Sequence, residues 1–240
     1  MTVHRLDRVG STQDEAHRLA AEGAPAGTVV VAAEQDQGRG TRGREWTSGR
    51  GGLWLTAILR PREAPLLEGL SLRIGLALAP VLEAVAPGGL IQLKWPNDLV
   101  AANRKLGGIL CEARWVGDRP GWVAVGVGIN VRNPLPRTPG MGAVSLEAIG
   151  SGAEAADLEG PVIAAVLAAG ERAGPLSDDE LAEFERRDWL RDRTLLHPVA
   201  GRAEGPGPDG ALRVRQPDGQ VVLVRESVTP TDLAPDPGSH

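Results

Sequence analysis

Residues that can bind and neutralise negative charge are concentrated in the stretch Gln35–Trp46. It holds Arg39, Arg42 and Arg44 among three glycines and ends on a tryptophan. Glycine lets a backbone approach a ligand closely, and arginine offers planar charged forks that match phosphate or carboxylate oxygens. The closing indole offers a flat face for a purine ring. This stretch predicts a loop that folds over a small anion; the alternative is a solvated basic loop.

A second stretch places two lysines on either side of an aspartate. Lys94 directly precedes the sequence Trp-Pro-Asn-Asp, and Lys105 comes just before the glycine pair Gly107-Gly108. A compact ammonium group suits a phosphoryl or carboxylate oxygen. Asp98 can orient a lysine or accept a proton from an incoming amine. The alternative is a tight hairpin in which the aspartate satisfies turn amides and both lysines are solvated.

Two polar segments have both a structural and a functional interpretation. Ser11-Thr12-Gln13 reads as the start of a helix, where a cap and a ligand contact can coexist. Asn130 follows the strand-like run Gly126–Ile129 and either contacts a ligand or ends the strand. The two glycines of that run lack the third glycine of a dinucleotide-binding motif and precede no helix, so a Rossmann site is rejected.

Other kinds of site find no support in the sequence. One cysteine, Cys111, excludes an intramolecular disulfide and cannot build a zinc site with four scattered histidines, so no metal-ligating cluster is expected. No Gly-x-Ser-x-Gly or Walker sequence is present. The formal net charge of −5 argues against a nucleic-acid-binding protein. No signal peptide and no membrane-length apolar run is found, which predicts a cytoplasmic protein without membrane contact.

Periodicity predicts the elements that position these residues. Strands are expected over 4–9, 28–33, 53–59, 90–94, 107–115 and 121–131, and helices from residue 11 or 12 and over 66–86, 158–172 and 178–190. Short connections containing Asn, Gly and Pro predict hairpins, and two Asp-Gly turns near the C-terminus predict a small barrel. The fold class is therefore α+β, with a mixed, largely antiparallel sheet flanked by helices. We expect a catalytic domain over 1–190, a barrel over 191–234 and a disordered tail over 235–240.

Taken in order, the motifs resemble those of the biotin–protein ligase family (biotin–[acetyl-CoA-carboxylase] ligases). The segments that carry the resemblance are Ser11–Gln13, Gln35 with Gly38–Arg44 and Trp46, Lys94–Leu99, Lys105–Glu112 and Gly126–Val131. The resemblance is dense over residues 4–131 and looser in the C-terminal region. It implies a catalytic module like that of class II synthetases and a C-terminal SH3-like barrel. It also implies a homodimer paired edge to edge through the central sheet.

The activity that this resemblance implies is an ATP-dependent ligation in two steps. Biotin and ATP, with Mg²⁺, give biotinyl-5′-AMP and pyrophosphate. The biotinyl group then passes to one lysine of a biotin carboxyl carrier protein domain of acetyl-CoA carboxylase or a related carboxylase.

The resemblance assigns roles to individual residues. Biotin would be bound by Ser11, Thr12, Gln13, Gln35, Arg39, Gly40, Thr41, Lys105, Gly107 and Gly108. ATP would be bound by Arg42, Arg44, Trp46, Lys94, Asn97 and Asn130. Catalysis would rest on Lys105, Arg39, Lys94 and Asp98, with Mg²⁺ entering together with ATP.

The chain departs from the family pattern in two places. The family loop commonly reads Gly-Arg-Gly-Arg-x-x-Arg, whereas the fourth position here is Thr41. We therefore expect weaker retention of biotinyl-AMP. Only ten residues precede Ser11, too few for the N-terminal helix-turn-helix of some family members, and no DNA binding is expected.

Two alternative functions remain at this stage. A lipoate–protein ligase shares the adenylation chemistry but usually carries an Arg-Arg-x-Ser-Gly-Gly-Gly loop where this chain has Gly38-Arg39-Gly40. A non-catalytic biotin- or nucleotide-binding regulator would keep the pocket without the chemistry. The joint presence of Lys94, Asp98 and Lys105 argues against that second alternative.

Overall fold

A computed structural model describes residues 1–61, 67–136 and 140–231. Its strands, numbered in chain order, are Thr2–Val9 (β1), Thr28–Gln35 (β2), Leu53–Leu59 (β3), Gln92–Lys94 (β4), Asp98–Ala101 (β5), Arg104–Val116 (β6), Arg119–Ile129 (β7), Thr194–His197 (β8), Gly201–Pro206 (β9), Leu212–Arg215 (β10), Val221–Val224 (β11) and Thr229–Pro230 (β12). The α-helices are Thr12–Ala21 (α1), Leu67–Glu83 (α2), Ala155–Gly170 (α3) and Asp178–Arg187 (α4).

The larger sheet has seven strands in the order β1-β2-β3-β7-β6-β5-β4. Strands β1 and β2 pair in parallel, and the remaining neighbours pair antiparallel. The hairpins expected between residues 90 and 131 are present as β4–β5, β5–β6 and β6–β7. The prediction of an α+β fold with a mixed, largely antiparallel sheet is confirmed.

Most elements match the sequence-based expectation, and the differences have local causes. Strand β5 was not predicted because its four residues lie between two turns. Its second turn contains Ala102 at φ 48° and Asn103 at φ 57°, the left-handed pair that a tight two-residue hairpin requires. Helix α2 ends at Glu83, three residues before the predicted end; residue 66, its predicted start, lies outside the described residues. Helix α4 ends at Arg187, where the expectation was residue 190.

Helices cover the two faces of the large sheet unequally. Helices α2 and α3 pack on one face and form the main apolar core, which includes Leu78, Val125 and Val162. Helix α1 packs on the other face against β2, β3 and β7, and there Ala16 and Ile58 belong to a much smaller cluster. Part of this second face is therefore left uncovered next to the N-terminus of α1.

The smaller sheet has five strands in the order β11-β10-β9-β8-β12. Within the described residues no ladder joins β11 to β12, so closure into the expected barrel stays a prediction. Its buried side chains, among them Leu195 and Val214, belong to the same apolar cluster as the large sheet. The indole of Trp95, which follows β4, donates to the carbonyl of Gly210 at 2.9 Å. The tail predicted over 235–240 lies outside the described residues.

Candidate active site

A cleft of about 620 Å³ lies on the uncovered part of the large sheet. Its floor is formed by strands β3, β6 and β7, and its walls by the N-terminus of α1, the turn between β4 and β5, and residues 38–46, here called the arginine loop. Every residue predicted for the site lines this cleft except Arg42 and Gly107. Gly107 faces away from it, because a Cβ at that position would point to the buried side chain of Leu99, 3.1 Å away.

A closed hydrogen-bond network fixes the end of the cleft beside α1. Ser11 caps the helix by accepting from the Gln13 amide at 3.3 Å. The Thr12 amide and hydroxyl donate to Oε1 of Gln35 at 2.7 and 3.0 Å, and Nε2 of Gln35 donates to Ser48 at 2.8 Å. Since each side chain has a partner, the pocket wall is polar, uncharged and held in one conformation.

The floor beneath this network carries a buried hydroxyl and a glycine. Thr56 Oγ1 lies 2.9 Å from Thr12 Oγ1 and 3.2 Å from Gln13 Oε1. A Cβ on Gly126 would stand 2.7 Å from Gln13 Oε1, so only glycine leaves the amide where it is. Sequence reasoning missed Thr56, whose one signal was a hydroxyl inside the apolar run of β3.

The middle of the cleft is occupied by Trp46. Its indole lies on the backbone of β7, where a Cβ on Gly128 would come within 2.7 Å of Nε1. The Lys105 ammonium stands 4.9 Å from the ring centroid, within the range of a cation–π contact. The buried Nε1 donor finds no acceptor among the described residues. The indole therefore presents its ring inside the cleft, while its N–H is buried against β7.

The arginine loop is tied down at its ends and directs its three arginines differently. The Gly40 amide donates to the Arg44 carbonyl at 2.8 Å, which closes a short turn over Thr41–Gly43. Arg39 reaches Asp14 at 2.7 Å and Glu112 at 3.3 Å along the cleft wall.

The other two arginines have separate contacts. Arg44 donates to the Thr41 hydroxyl at 3.2 Å and lines the cleft. Arg42 sits in the left-handed region at φ 61° and points out of the cleft to Glu226, 3.3 Å away beyond β11. Two of the three predicted arginines are thus positioned at the cleft, and the third joins the loop to the smaller sheet.

A compact charged cluster is formed by Lys94, Asp98 and Lys105. Lys94 and Lys105 are the only lysines in the 240-residue sequence. They come together because Lys94 ends β4 directly opposite Asp98 on β5, which in turn pairs with β6. Asp98 Oδ1 lies 2.6 Å from Lys105 Nζ, and Oδ2 lies 3.6 Å from Lys94 Nζ.

Electrostatics fix the charge state of the aspartate in this cluster. Although burial alone raises the pKa of the Asp98 carboxyl, the charges of Lys105 and Lys94 hold it below its ordinary value. Burial in turn lowers the pKa of Lys94, against the attraction of the Asp98 carboxylate. A carboxylate held ionised in this way is a weak base and a firm anchor for the two ammonium groups.

The two asparagines hold strand ends beside this cluster. Asn97 Nδ2 donates to the Ile109 carbonyl at 2.7 Å. Asn130, at the end of β7, accepts from Asn133 Nδ2 at 3.1 Å, and its own Nδ2 lies 3.5 Å from the Lys105 carbonyl. Both side chains therefore have structural contacts while also lining the cleft.

A sequence profile of the Biotin/lipoate A/B protein ligase family matches residues 6–130, just over half of the chain. The chain belongs to this family. It is 34% identical over 236 residues to the biotin--[acetyl-CoA-carboxylase] ligase of Paracoccus denitrificans, an alignment that covers 91% of this chain and 96% of that protein.

Other relatives match over different lengths. The bifunctional ligase/repressor BirA of Bacillus spizizenii is 43% identical over 127 residues, which is 52% of this chain but only 39% of that protein. Among solved structures, the biotin protein ligase from Aquifex aeolicus in complex with biotin and ATP superposes with a TM-score of 0.79 at 27% identity, covering 96% of this chain and 99% of that one.

In this member of the ligase family, the cleft also has walls that sequence reasoning missed. Val228, Thr229 and Pro230 of the smaller sheet line it, as does the segment 140–143. The segment is held in place by the Lys105 amide, which donates to the Gly142 carbonyl at 3.0 Å. None of these residues carries a motif, so only the packing of the chain reveals them.

Within residues 1–61, 67–136 and 140–231, no helix is long and apolar enough to cross a membrane. In the same ranges, no group of three or more His, Cys, Asp or Glu side chains is arranged to hold a metal ion.

Proposed function

We propose that this protein activates biotin with ATP and transfers the biotinyl group to a lysine of a carrier protein domain. One observation carries the proposal: a neutral, fully hydrogen-bonded pocket around Gln35 opens directly onto the cationic cluster of Lys94 and Lys105. Biotin matches this arrangement: its neutral polar head group suits the pocket, and the carboxylate at the end of its apolar chain suits the lysines. The solved Aquifex ligase that superposes on this chain is described as a complex with biotin and ATP.

In the first step, an oxygen of the biotin carboxylate attacks the α-phosphorus of ATP. A new P–O bond forms the mixed anhydride biotinyl-5′-AMP, and the bond to the leaving pyrophosphate breaks with its electron pair. Two anions must approach each other, so cations are required between them. We assign this role to Lys105, supported by Lys94 and Arg44, all of which line the cleft.

Mg²⁺ is inferred to enter as part of the ATP substrate. The cleft offers cations and amides, and its buried carboxylate Asp98 is already engaged by two lysines. Mg²⁺ commonly keeps water and phosphate oxygens as ligands. Phosphate oxygens would therefore hold the ion here. From the protein, we propose the side-chain oxygen of Asn130, which lines the cleft, as a neutral ligand.

In the second step, the ε-amine of the acceptor lysine attacks the biotinyl carbonyl carbon. An amide bond forms, and the C–O bond to AMP breaks. Because its pKa is held low, Asp98 is poorly suited to take the proton of the amine. We assign Asp98 to orient Lys105 and leave proton removal to the released AMP or to solvent.

The arginine loop is proposed to cover the reactive anhydride. Arg39 and Gly40 line the cleft, and Trp46 offers its ring to the adenine. With Thr41 in place of an arginine, one positive charge is lost beside the intermediate. We expect Thr41→Arg to slow release of biotinyl-AMP, measured by trapping the released compound; an unchanged release rate would contradict this role.

The remaining parts of the proposal concern architecture. Residues 1–190 are proposed as a class II synthetase-like catalytic domain and 191–234 as an SH3-like barrel, supported by the five short antiparallel strands of the smaller sheet. The carrier domain is inferred to belong to acetyl-CoA carboxylase or a related carboxylase, since the Paracoccus relative carries that name. A homodimer through the edge of the large sheet remains part of this proposal.

A biotin-dependent ATP–pyrophosphate exchange assay, followed by labelling of a purified carrier domain, tests this function. We expect exchange with biotin and incorporation of one biotinyl group per carrier. Exchange with lipoate alone would establish the lipoate-ligase alternative. Biotin binding without exchange would establish the non-catalytic regulator.

A further inference from the structure

Glu112 on β6 is an ionised group at the edge of the cleft that neither proposed step uses. It lies on the same face of β6 as Gly108 and Leu110, beyond the end of the pocket and beneath helix α1. Its side chain is 27% exposed, and the cavity lining does not include it. The sequence placed Glu112 at the end of a motif without giving it a role.

Three donors from two different elements converge on one oxygen of this carboxylate. Oε2 of Glu112 accepts from Gln13 Nε2 at 3.1 Å, from His17 Nε2 at 2.9 Å and from Arg39 Nη2 at 3.3 Å. Gln13 and His17 are one turn apart on α1, and Arg39 comes from the arginine loop. A single charge therefore joins the pocket wall to the loop.

A second layer holds the carboxylate itself. Trp122 Nε1 donates to His17 Nδ1 at 2.9 Å, which leaves His17 Nε2 as the nitrogen that donates to Glu112. The hydrogen bond from His17, helped by Gln13 and the charge of Arg39, lowers the pKa of Glu112 to about 2 although burial opposes it. The acceptor is thus ionised at neutral pH.

We propose that Glu112, backed by His17 and Trp122, is a positioning residue that orients Gln13 in the biotin pocket and latches Arg39 of the arginine loop. The amide of Gln13 has a preferred direction because its Nε2 is bound by Glu112 and the Ala124 carbonyl, which turns Oε1 toward Thr56. This inference rests on the proposed function only for the identity of the ligand; the latch itself is independent of it.

The decisive variant is Glu112→Gln, which keeps the shape of the side chain and removes its charge. Loss of this charged acceptor leaves Arg39 with Asp14 alone, at 2.7 Å, so the loop should open more often and trypsin cleavage after Arg39 should accelerate about tenfold. The KM for biotin in the exchange assay should rise about tenfold while kcat changes less than about threefold, because Glu112 touches no reacting atom. The matched control is Glu159→Gln, which breaks an arginine pair with Arg5 far from the cleft.

A second variant guards against misfolding of the first. Trp122→Phe keeps an aromatic ring beneath Arg60 but removes the donor to His17, and we expect a smaller acceleration of cleavage in the same direction. If both variants match Glu159→Gln in cleavage rate and in KM, the inference is overturned. If the wild-type protein shows no exchange with biotin, the proposed function fails, yet the cleavage rates still decide whether Glu112 latches the loop.

Discussion

Strand β7 presents Val123 and Val125 to the helix-covered face of the large sheet and Gly126 and Gly128 to the cleft. Because side chains alternate along a strand, one face of β7 packs in the core and the other forms the floor of the cleft. On the covered face, branched apolar side chains pack with α2 and α3 and stabilise the fold. On the cleft face, the missing side chains make room for Gln13, Trp46 and a ligand. Substitutions on the two faces should therefore separate stability from activity.

The largest effect is expected from Lys105→Gln on the cleft face. Removing the ammonium takes away charge stabilisation of the approaching anions, so the biotin-dependent exchange rate should fall by about 10²–10³-fold. The melting temperature should fall only modestly, because Lys94 still pairs with Asp98. The neighbouring Arg104→Gln on the same strand, outside the cleft, should keep full exchange; an equal loss there would erase the distinction between the faces.

The strongest effect on the covered face is expected from Leu78→Ala in α2. Leu78 is fully buried in the main core, so the truncation should lower the free energy of unfolding by about 2–5 kcal/mol in urea denaturation. The KM for biotin of the folded fraction should not change. Leu223→Ala on β11 provides the control, since this leucine is 58% exposed. A raised KM in Leu78→Ala would show that the two faces are coupled.

Gly126→Ala tests the cleft face without removing any charge. The added Cβ would stand 2.7 Å from Gln13 Oε1, which must turn away, so the KM for biotin should rise about tenfold. Stability should change by less than about 1 kcal/mol, because the contact is with the end of a side chain. Gly160→Ala, where a Cβ meets nothing within 4 Å, should leave the KM unaltered.

The smallest expected effect comes from comparing two aspartates whose pKa values are shifted in opposite directions. Asp98 in the cleft is held ionised by two lysines, whereas burial raises the pKa of Asp188, after α4, to about 6 from 3.8. The folded protein binds this proton more tightly than the unfolded chain does. Ionised Asp188 therefore lowers the free energy of unfolding fully above pH 6, and this loss is absent below pH 3.8.

Asp188→Asn should therefore raise the free energy of unfolding by about 1–2 kcal/mol at pH 7.5 and leave it unchanged at pH 3.5. Its side-chain oxygen can still accept from the Leu190 amide, which donates to Asp188 at 2.8 Å. Denaturant titrations at the two pH values give the measurement. An equal increase in the free energy of unfolding at both pH values would show that the substitution acts through packing and not through charge.

Local signals in the sequence were sufficient for several elements of the fold. The cap at Ser11 and the apolar run of β3 each fix an element from a few neighbouring residues, and β3 has the predicted bounds of Leu53–Leu59. The parallel pairing of β1 with β2 was not predicted, because alternation along a strand carries no information about its partner's direction.

The same limit applies to the cleft. Charged and glycine-rich motifs led directly to Lys94, Lys105 and the arginine loop. Glu112 was missed as a hub because its three partners lie 73 to 99 residues away in the sequence. The contribution of residues 228–230 depends on how the smaller sheet packs on the larger one, and no local pattern encodes that.

The placement of both lysines in the cleft affects how readily the protein could acylate itself. An acyl adenylate modifies accessible primary amines, yet the 24 arginines of this chain are inert to it and both lysines are held against Asp98. The sequence has no lysine outside the cleft. If the proposed acyl adenylate left the cleft, it would therefore meet no lysine on the rest of the chain.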